Sequence, residues 1–363
     1  MLATVASAAQ VTKIGNGSEP AICDSKVVWT DGSIHVYDLA TKKDTKISSS
    51  SASYPAIYDN KLVWHDESSG TPGLTLYDIK TSSRSQITKN VDEDSIPAIY
   101  GSKIVWSANN IVYMRDISKS TQTQIVSGNS PDIYDTKIVY DSDIAGDTPQ
   151  VYVYDITTKK SINASQYGDN MFSHIYGNKV IWSDYYTRLG NIRMYDIATK
   201  QQTDITTGDD MTGYDTGGAT DINGNKIVYL KHKDLANINS GDVYVYNMDT
   251  GQSTQLSSGN TAQTPVVSGN IVVWSDSGSI YMSDLSATNI LPPVAAFTAN
   301  RASSTSTGCP ETYLWDFGDG INSKHKLTAT HTFTKAGKYT VSLIVTNSAG
   351  SDTLKKTKYI TVK

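Results

Sequence analysis

One phrase recurs seven times along this chain of 363 residues. A chain that must bury the same phrase so often has few architectures open to it. The copies align on an aromatic anchor that closes an apolar run: Trp29, Trp64, Trp106, Tyr140, Trp182, Tyr229 and Trp274, spaced 34 to 47 residues apart. Ahead of each anchor stands a two-residue step: Asp24-Ser25, Asp59-Asn60, Gly101-Ser102, Asp135-Thr136, Gly177-Asn178, Gly224-Asn225 and Gly269-Asn270. Such pairs tolerate positive φ, and between apolar runs they signal a tight hairpin. After the anchor come a polar segment and an alternating strand such as "VYVYDI", which ends in Asp38, Asp78, Asp116, Asp155, Asp196, Asn247 or Asp284. A short carboxylate or amide there accepts backbone N–H groups ahead of it and starts the next turn. Six copies continue into a fourth strand, for example "TDIT" or "STQL".

Four short antiparallel strands repeated at this period predict an all-β fold of seven propeller blades. The seventh copy stops at "IYMSDLSATN" without a fourth strand, whereas "QVTKI" (10–14) precedes the first copy and matches "TKI" at 45–47. The first strand is therefore expected to complete the last blade and remove an open edge. Five of the six tryptophans share one repeat position, which makes them packing residues. The pattern "IYGNKVIWSD … IRMYDIATKQQTDIT" resembles the TolB-type propeller repeats of methanogen cell-surface proteins, over roughly residues 10–286. That resemblance implies the fold and an archaeal cell-surface setting.

At Leu291 the pattern breaks, and Pro292-Pro293 make a stiff extended connection. "YLWDFGDG" (313–320), "HTFTKAGKYTVSLIVTNSAGSDT" (331–353) and "YITV" (359–362) resemble the PKD domain, an Ig-like sandwich. The resemblance implies that Trp315 packs between the sheets, that Gly318-Asp319-Gly320 turn sharply and that Tyr339 closes a corner. This copy runs straight through "AAFTANRASSTSTGCPETY", about fifteen residues short of the usual PKD pattern. The expected domains are thus 10–290 for the propeller and 291–363 for a shortened PKD domain. Residues 1–9, ending in "ASAA", read either as the remnant of an export signal or as a frayed terminus.

Twenty-three tyrosines against four phenylalanines favour half-buried β faces. No apolar run approaches the roughly 18 residues that span a bilayer. Cys23 and Cys309 fall in different domains, so no disulfide framework follows from spacing. Asn16-Gly17-Ser18 and Asn163-Ala164-Ser165 are acceptor sequons compatible with export. Residues 293–363 hold nine Lys and Arg against four Asp and Glu, and the rest of the chain holds 22 against 32. A basic tail on an acidic propeller suits an acidic neighbour or an anionic polymer, or is simply solvated surface. No basic-aromatic cluster or binding motif points to nucleic acid.

Catalysis needs a nucleophile with its base, a carboxylate pair in a cleft, or a metal. The six histidines are scattered, and no G-x-S-x-G, H-E-x-x-H or P-loop is present. "SDSGS" (275–279) does not complete the repeated box of sialidase-type propellers. No cofactor is required, and no catalytic residue is assigned. Asp141, Asp143 and Asp147, with Gly146 among them, place oxygen ligands that suit Ca2+, although a polar hairpin loop needs no ion.

The loops between second and third strands, and the links between copies, are unequal. Copies four, five and six carry "DSDIAGDTPQ", "SDYYTRLGN" and "KHKDLANINSGD", with "SQYGDNMFS" and "TGDDMTGYDTGG" between them. Ligand-binding candidates converge there: Tyr167, Asp169, Tyr185, Tyr186, Arg188, Asp210, Tyr214, Asp215 and His232. Flat aromatics beside carboxylates and an Arg hold sugar rings or a basic protein segment, and the competing explanation is loop drift without a ligand. Two functions follow. One is a non-enzymatic cell-surface or envelope protein that presents a propeller to a protein or polysaccharide. The other is a carbohydrate-active enzyme or lectin using the loops of copies four to six.

Overall fold

A computed structural model describes residues 10–362, apart from 49, 90, 93–94, 144–147, 167, 185–190, 207–219, 233–239, 288–296, 299–301, 305–311, 325–327, 330 and 348–349. The chain divides into two compact units, Val11–Asp284 and a second containing Leu285–Lys363.

In the first unit the described residues form seven antiparallel sheets of four strands. Sheet one comprises Ser18–Cys23, Lys26–Thr30, Ile34–Asp38 and Lys43–Lys46. The next five sheets repeat that order, and the phrase read in the sequence explains each part. The second strand is the most buried: Val27, Val28 and Trp29 are 0% exposed, as are Leu62, Val63 and Trp64 in sheet two. The repeat Asp starts the third turn as anticipated. Asp38 Oδ1 accepts the amides of Ala40 and Thr41 (3.0 and 2.8 Å), and Asp196 does the same for Ala198 and Thr199. The Lys that follows the first turn reaches back to this Asp, as in Lys137–Asp155 at 3.1 Å.

The seventh sheet contains Ala262–Ser268, Ile271–Asp276 and Ser279–Asp284, and its fourth strand is Val11–Asn16. Val11 lies opposite Ser283, and Asn16 opposite Ser279. The inner strand of each sheet packs on that of the next, from 18–23 through 52–58, 98–100, 129–134, 170–176 and 220–223 to 262–268. The last of these packs on 18–23. Two glycines make the tight entries possible. Gly17 (φ 143°) and Gly128 (φ 153°) lie against Trp29 and Tyr140, where a Cβ would collide with ring and backbone.

Five inner strands also carry a β-bulge, visible as register shifts between Ser18/Ala21, Ser53/Ala56, Asn129/Asp132, Met171/His174 and Gln263/Val266. At the bulges Glu19, Tyr54, Ser130, Phe172 and Thr264 adopt left-handed φ of 44–57°. Two of the freed amides find carboxylates: Tyr54 N–H donates to Glu19 Oε2 (2.6 Å) and Phe172 N–H to Asp141 Oδ2 (3.0 Å).

The second unit has a sheet ordered Asn322–Lys324, Thr312–Asp316, Gly337–Asn347, Gly350–Val362, and a smaller one of Phe297–Thr298, Ala302–Ser304 and Thr328–Ala329. Trp315, Phe317, Val341, Leu343 and Val345 form its core. Tyr339 Oη donates to the Lys335 carbonyl at 2.7 Å, the corner bond the sequence implied. Among the described residues no helix is long and apolar enough to cross a membrane.

Candidate functional site

Side chains alternate along a strand, so two positions of each inner strand face the same way. The first of these precedes the repeated Ile. It is Ala21, Ala56 and Ala98 in sheets one to three, Asp132, His174 and Asp221 in sheets four to six, and Val266 in sheet seven. The second is Cys23, Tyr58, Tyr100, Tyr134, Tyr176, Asn223 and Ser268. Three ionisable groups thus occupy one repeat position in consecutive sheets, and four tyrosines line up beside them.

The tyrosines stack in a continuous arc. Ring centroids are 4.6 Å apart for Tyr58–Tyr100, 4.7 Å for Tyr100–Tyr134 and 4.9 Å for Tyr134–Tyr176, all tilted by 45–54°. Burial, with hydrogen bonds between neighbouring phenols, holds Tyr100 and Tyr134 above the usual phenol range.

Each Asp of the ionisable row also ties its sheet to the next. Asp132 Oδ2 accepts Ile175 N–H at 3.0 Å, and Asp221 Oδ2 accepts Val267 N–H at 2.8 Å. His174, on the sheet between them, places Nδ1 3.5 Å from Asp132 Oδ2. The two side chains remain 28% and 24% exposed. Burial disfavours the imidazolium, but Asp132 first, then Asp221 and Asp141, outweigh it and raise the His174 pKa. Burial pushes the Asp221 carboxyl up to about 6 against the pull of His174. Asp141 is pushed up to about 7 by burial, although the Phe172 amide and the Ser173 hydroxyl (3.1 Å) favour its charged form. His174, Asp221 and Asp141 are thus all raised above their ordinary pKa values, and both carboxylates also accept a backbone amide of the adjoining sheet.

Sequence reasoning misses this row, because scattered histidines and aspartates carry no signal until they are aligned by repeat position. The signal was available: aligning the residue before each repeated Ile exposes Asp132, His174 and Asp221 at once.

Of the loop candidates, Tyr167, Tyr185, Tyr186, Arg188, Asp210, Tyr214 and Asp215 lie outside the described residues. Asp169 is half-buried beside Asn170. His232 is buried, with Nδ1 2.7 Å from the Ser240 carbonyl and Nε2 without a hydrogen-bond partner. Of the calcium candidates, Asp147 lies outside the described residues, Asp143 is exposed, and Asp141 turns inward to bind Phe172 and Ser173. Among the described residues no three His, Cys, Asp or Glu side chains are grouped to hold a metal ion. A cavity of about 350 Å³ on sheet two is lined by Asp66, Ser68, Ser69, Thr75, Arg84, Ser85 and Gln86. Asp66 is already occupied there by Ser68 and Thr75.

Comparison with known proteins bears on both units. Residues 287–362 match the PKD domain family. The tail carries a PKD domain. Among solved structures the chain is similar to TolB from Acinetobacter baumannii, at 17% identity and a TM-score of 0.50, covering 71% of this chain and 66% of that one. It is also similar to an oligogalacturonate lyase from Vibrio parahaemolyticus, at 13% identity and a TM-score of 0.57, covering 76% of this chain and 93% of that one. A third similar structure is the β-propeller domain of the Trilobed protease from Pyrococcus furiosus, described as having an open velcro topology. Identity there is 14% and the TM-score 0.53, covering 76% of this chain and 96% of that one. At such identities the likeness establishes a β-propeller fold, TolB-like in kind, and nothing of activity. The chain spans just under two thirds of the TolB chain. No curated protein matches it.

Proposed function

We propose that this chain is a non-enzymatic interaction platform of the cell surface or extracellular space. In this reading seven blades form a ring closed by the N-terminal strand, and the PKD domain is a spacer or second contact. The observation carrying it is how the repeat spends its residues. Each anchor is buried, and six of the seven turn residues accept hydrogen bonds in their own turn: Asp38, Asp78, Asp116, Asp155, Asp196 and Asn247. What varies is left for recognition, namely the loops and links of copies four to six. Ring closure draws support from the pairing of Val11–Asn16 with Ser279–Asp284 and from the packing of 262–268 on 18–23. The proposed partner is a cell-envelope protein or polysaccharide. A methanogen-type surface setting, and Ca2+ at the loop of Asp141, Asp143 and Asp147, belong to the same reading.

Binding to isolated envelope polysaccharide and envelope protein tests it. Alanine at Tyr185, Tyr186 and Tyr214 should weaken that binding by roughly tenfold or more without lowering the melting point. Equal binding by parent and variant would remove the recognition sector.

A second reading, a carbohydrate-active enzyme or lectin, is favoured by one observation: Asp132, His174 and Asp221 stand at one repeat position of consecutive sheets, with His174 Nδ1 3.5 Å from Asp132 Oδ2. Turnover of oligogalacturonate or envelope polysaccharide by the parent, lost in His174→Gln, would establish it over the platform. Binding without turnover supports the platform.

A further inference from the structure

The turns joining the third and fourth strands of sheets one, two, four and five carry Lys42, Lys80, Lys159 and Lys200, and Lys43 and Lys160 open the strands that follow, all exposed. Cross-strand register places these turns at the same end of each sheet as the two-residue first turn: Lys26 lies opposite Asp38 and Asp38 opposite Lys43, and Lys137, Asp155 and Lys160 form the equivalent row. Neighbouring sheets share that end. The Asp59 amide reaches Cys23 Sγ, the tyrosine arc joins sheets two to five, Gly269 N–H reaches Asn223, and Asp24 N–H reaches Ser268. The lysines therefore stand on one face.

Two features separate them from the lysines beside them. The inner lysines are neutralised within their own sheets, Lys61 by Asp78, Lys137 by Asp155 and Lys179 by Asp196. Among the described residues none of the six outer lysines makes an ion pair, whereas Lys119 on the equivalent turn of sheet three pairs with Asp116 at 3.3 Å, and the acids Asp24, Asp59 and Asp135 sit on the first turns, further in. The second feature is conformational. Lys42, Lys159 and Lys200 occupy left-handed backbone at φ 56–59°, closing their turns onto the carbonyls of Asp38, Asp155 and Asp196. The same turn in sheet six uses Gly251 at φ 67°, the unstrained solution. Ser82 (φ 55°) and Ser120 (φ 54°) take the same position in sheets two and three, so three of its five non-glycine residues are lysines, each exposed on its turn.

We propose that this turn face docks an anionic, carboxylate-bearing polysaccharide along an outer arc of lysines. Charge complementarity selects a polyanion. A polymer is favoured over a lipid surface because, of the large apolar side chains exposed among the described residues, Val11, Ile96 and Ile321 lie away from these lysines and Ile162 alone stands beside one, Lys160. The inference rests on the platform reading but uses the opposite end of the sheets from the variable loops.

Alginate is the probe, with dextran as the neutral control and duplex DNA and phosphatidylglycerol vesicles as competing polyanions, all against the full chain. The parent should bind alginate in a salt-sensitive manner and ignore dextran. Lys42→Gly/Lys159→Gly/Lys200→Gly should bind roughly tenfold more weakly or worse, with a melting temperature equal to or above the parent's. Lys43→Gln/Lys80→Gln/Lys160→Gln, which leaves the left-handed positions alone, should weaken binding similarly. Tyr185, Tyr186 and Tyr214 to Ala should leave alginate binding intact, which separates this face from the loop sector. Unchanged alginate binding in both lysine variants overturns the proposal, as does a parent that ignores alginate or prefers DNA or vesicles to it.

Discussion

An indole N–H buried in a sheet core must find an acceptor or go without. Trp182 finds one: Nε1 donates to Asn170 Oδ1 at 2.8 Å in a buried contact. Trp29 and Trp106 bury the same atom with no partner. The difference lies in the residue entering the inner strand, which is Asn170 in sheet five and Gly17, lying flat on the ring, in sheet one. Asn170→Ala should therefore cost about 1–3 kcal/mol, because it strands a buried donor and leaves a small void. Thermal unfolding should fall by several degrees, and Asn170→Asp should recover part of the loss by keeping the acceptor. An unchanged transition would mean that the bond contributes nothing net. The same scale explains the lysines of the turn face. A left-handed non-glycine residue is costly by about 1–2 kcal/mol, and Lys42, Lys159 and Lys200, like Ser82 and Ser120 at the same position, carry that cost in solvent, where no packing repays it.

At the scale of the strand, the N-terminal segment is the element with most at stake. Removing residues 1–14 takes away most of Val11–Asn16 and bares the edge of Ser279–Asp284 that it covers. The expected result is a markedly lower unfolding temperature and a tendency to associate through the bared edge, read by scanning calorimetry and light scattering. A truncated chain that melts like the parent would contradict the reading of a closed ring. This pairing was legible in the sequence because a missing fourth strand and a spare copy of "TKI" are complementary gaps in one periodic pattern. The first turns, the turn Asp and the buried anchors were legible for the same reason. The recurring bulge was not. Glu19, Tyr54, Ser130, Phe172 and Thr264 share no side-chain chemistry, and their left-handed backbone follows from how the inner strand meets its neighbours. Asp132, His174 and Asp221 were hidden differently, since each is ordinary alone and informative only as a column. The loop candidates, Asp169 and His232 apart, fall outside the described residues, so the site read in copies four to six rests on its sequence.

For the whole molecule, charges on the inner and second strands set how stability responds to pH. His174, Asp221 and Asp141 all have folded pKa values above their ordinary ones. A group raised in the folded state contributes its stabilisation below the unfolded pKa and loses it as pH climbs through the folded one. Asp221 and Asp141 therefore withdraw support between the ordinary carboxylate range and about 6 and about 7, and His174 withdraws its share above the ordinary imidazole range. Asp116, lowered to about 2 chiefly by the Ser118 hydroxyl, acts in the other sense and is lost in strong acid. The melting temperature should peak in mildly acidic buffer and decline toward pH 8, by roughly 2–4 °C for each kcal/mol withdrawn. Asp141→Asn should flatten the decline; a profile rising steadily to pH 8 would refute the assignment. The seam between the first and last strands has a mechanical side too. Because Val11 faces Ser283 in an antiparallel pair, the chain enters and leaves the propeller unit at one end of the same two strands. A pull on both ends loads those hydrogen bonds one after another, as a zipper is loaded, and not all together in shear. Under tension the seam is the first part of the unit to yield, which makes the strand that completes the last sheet also its release point.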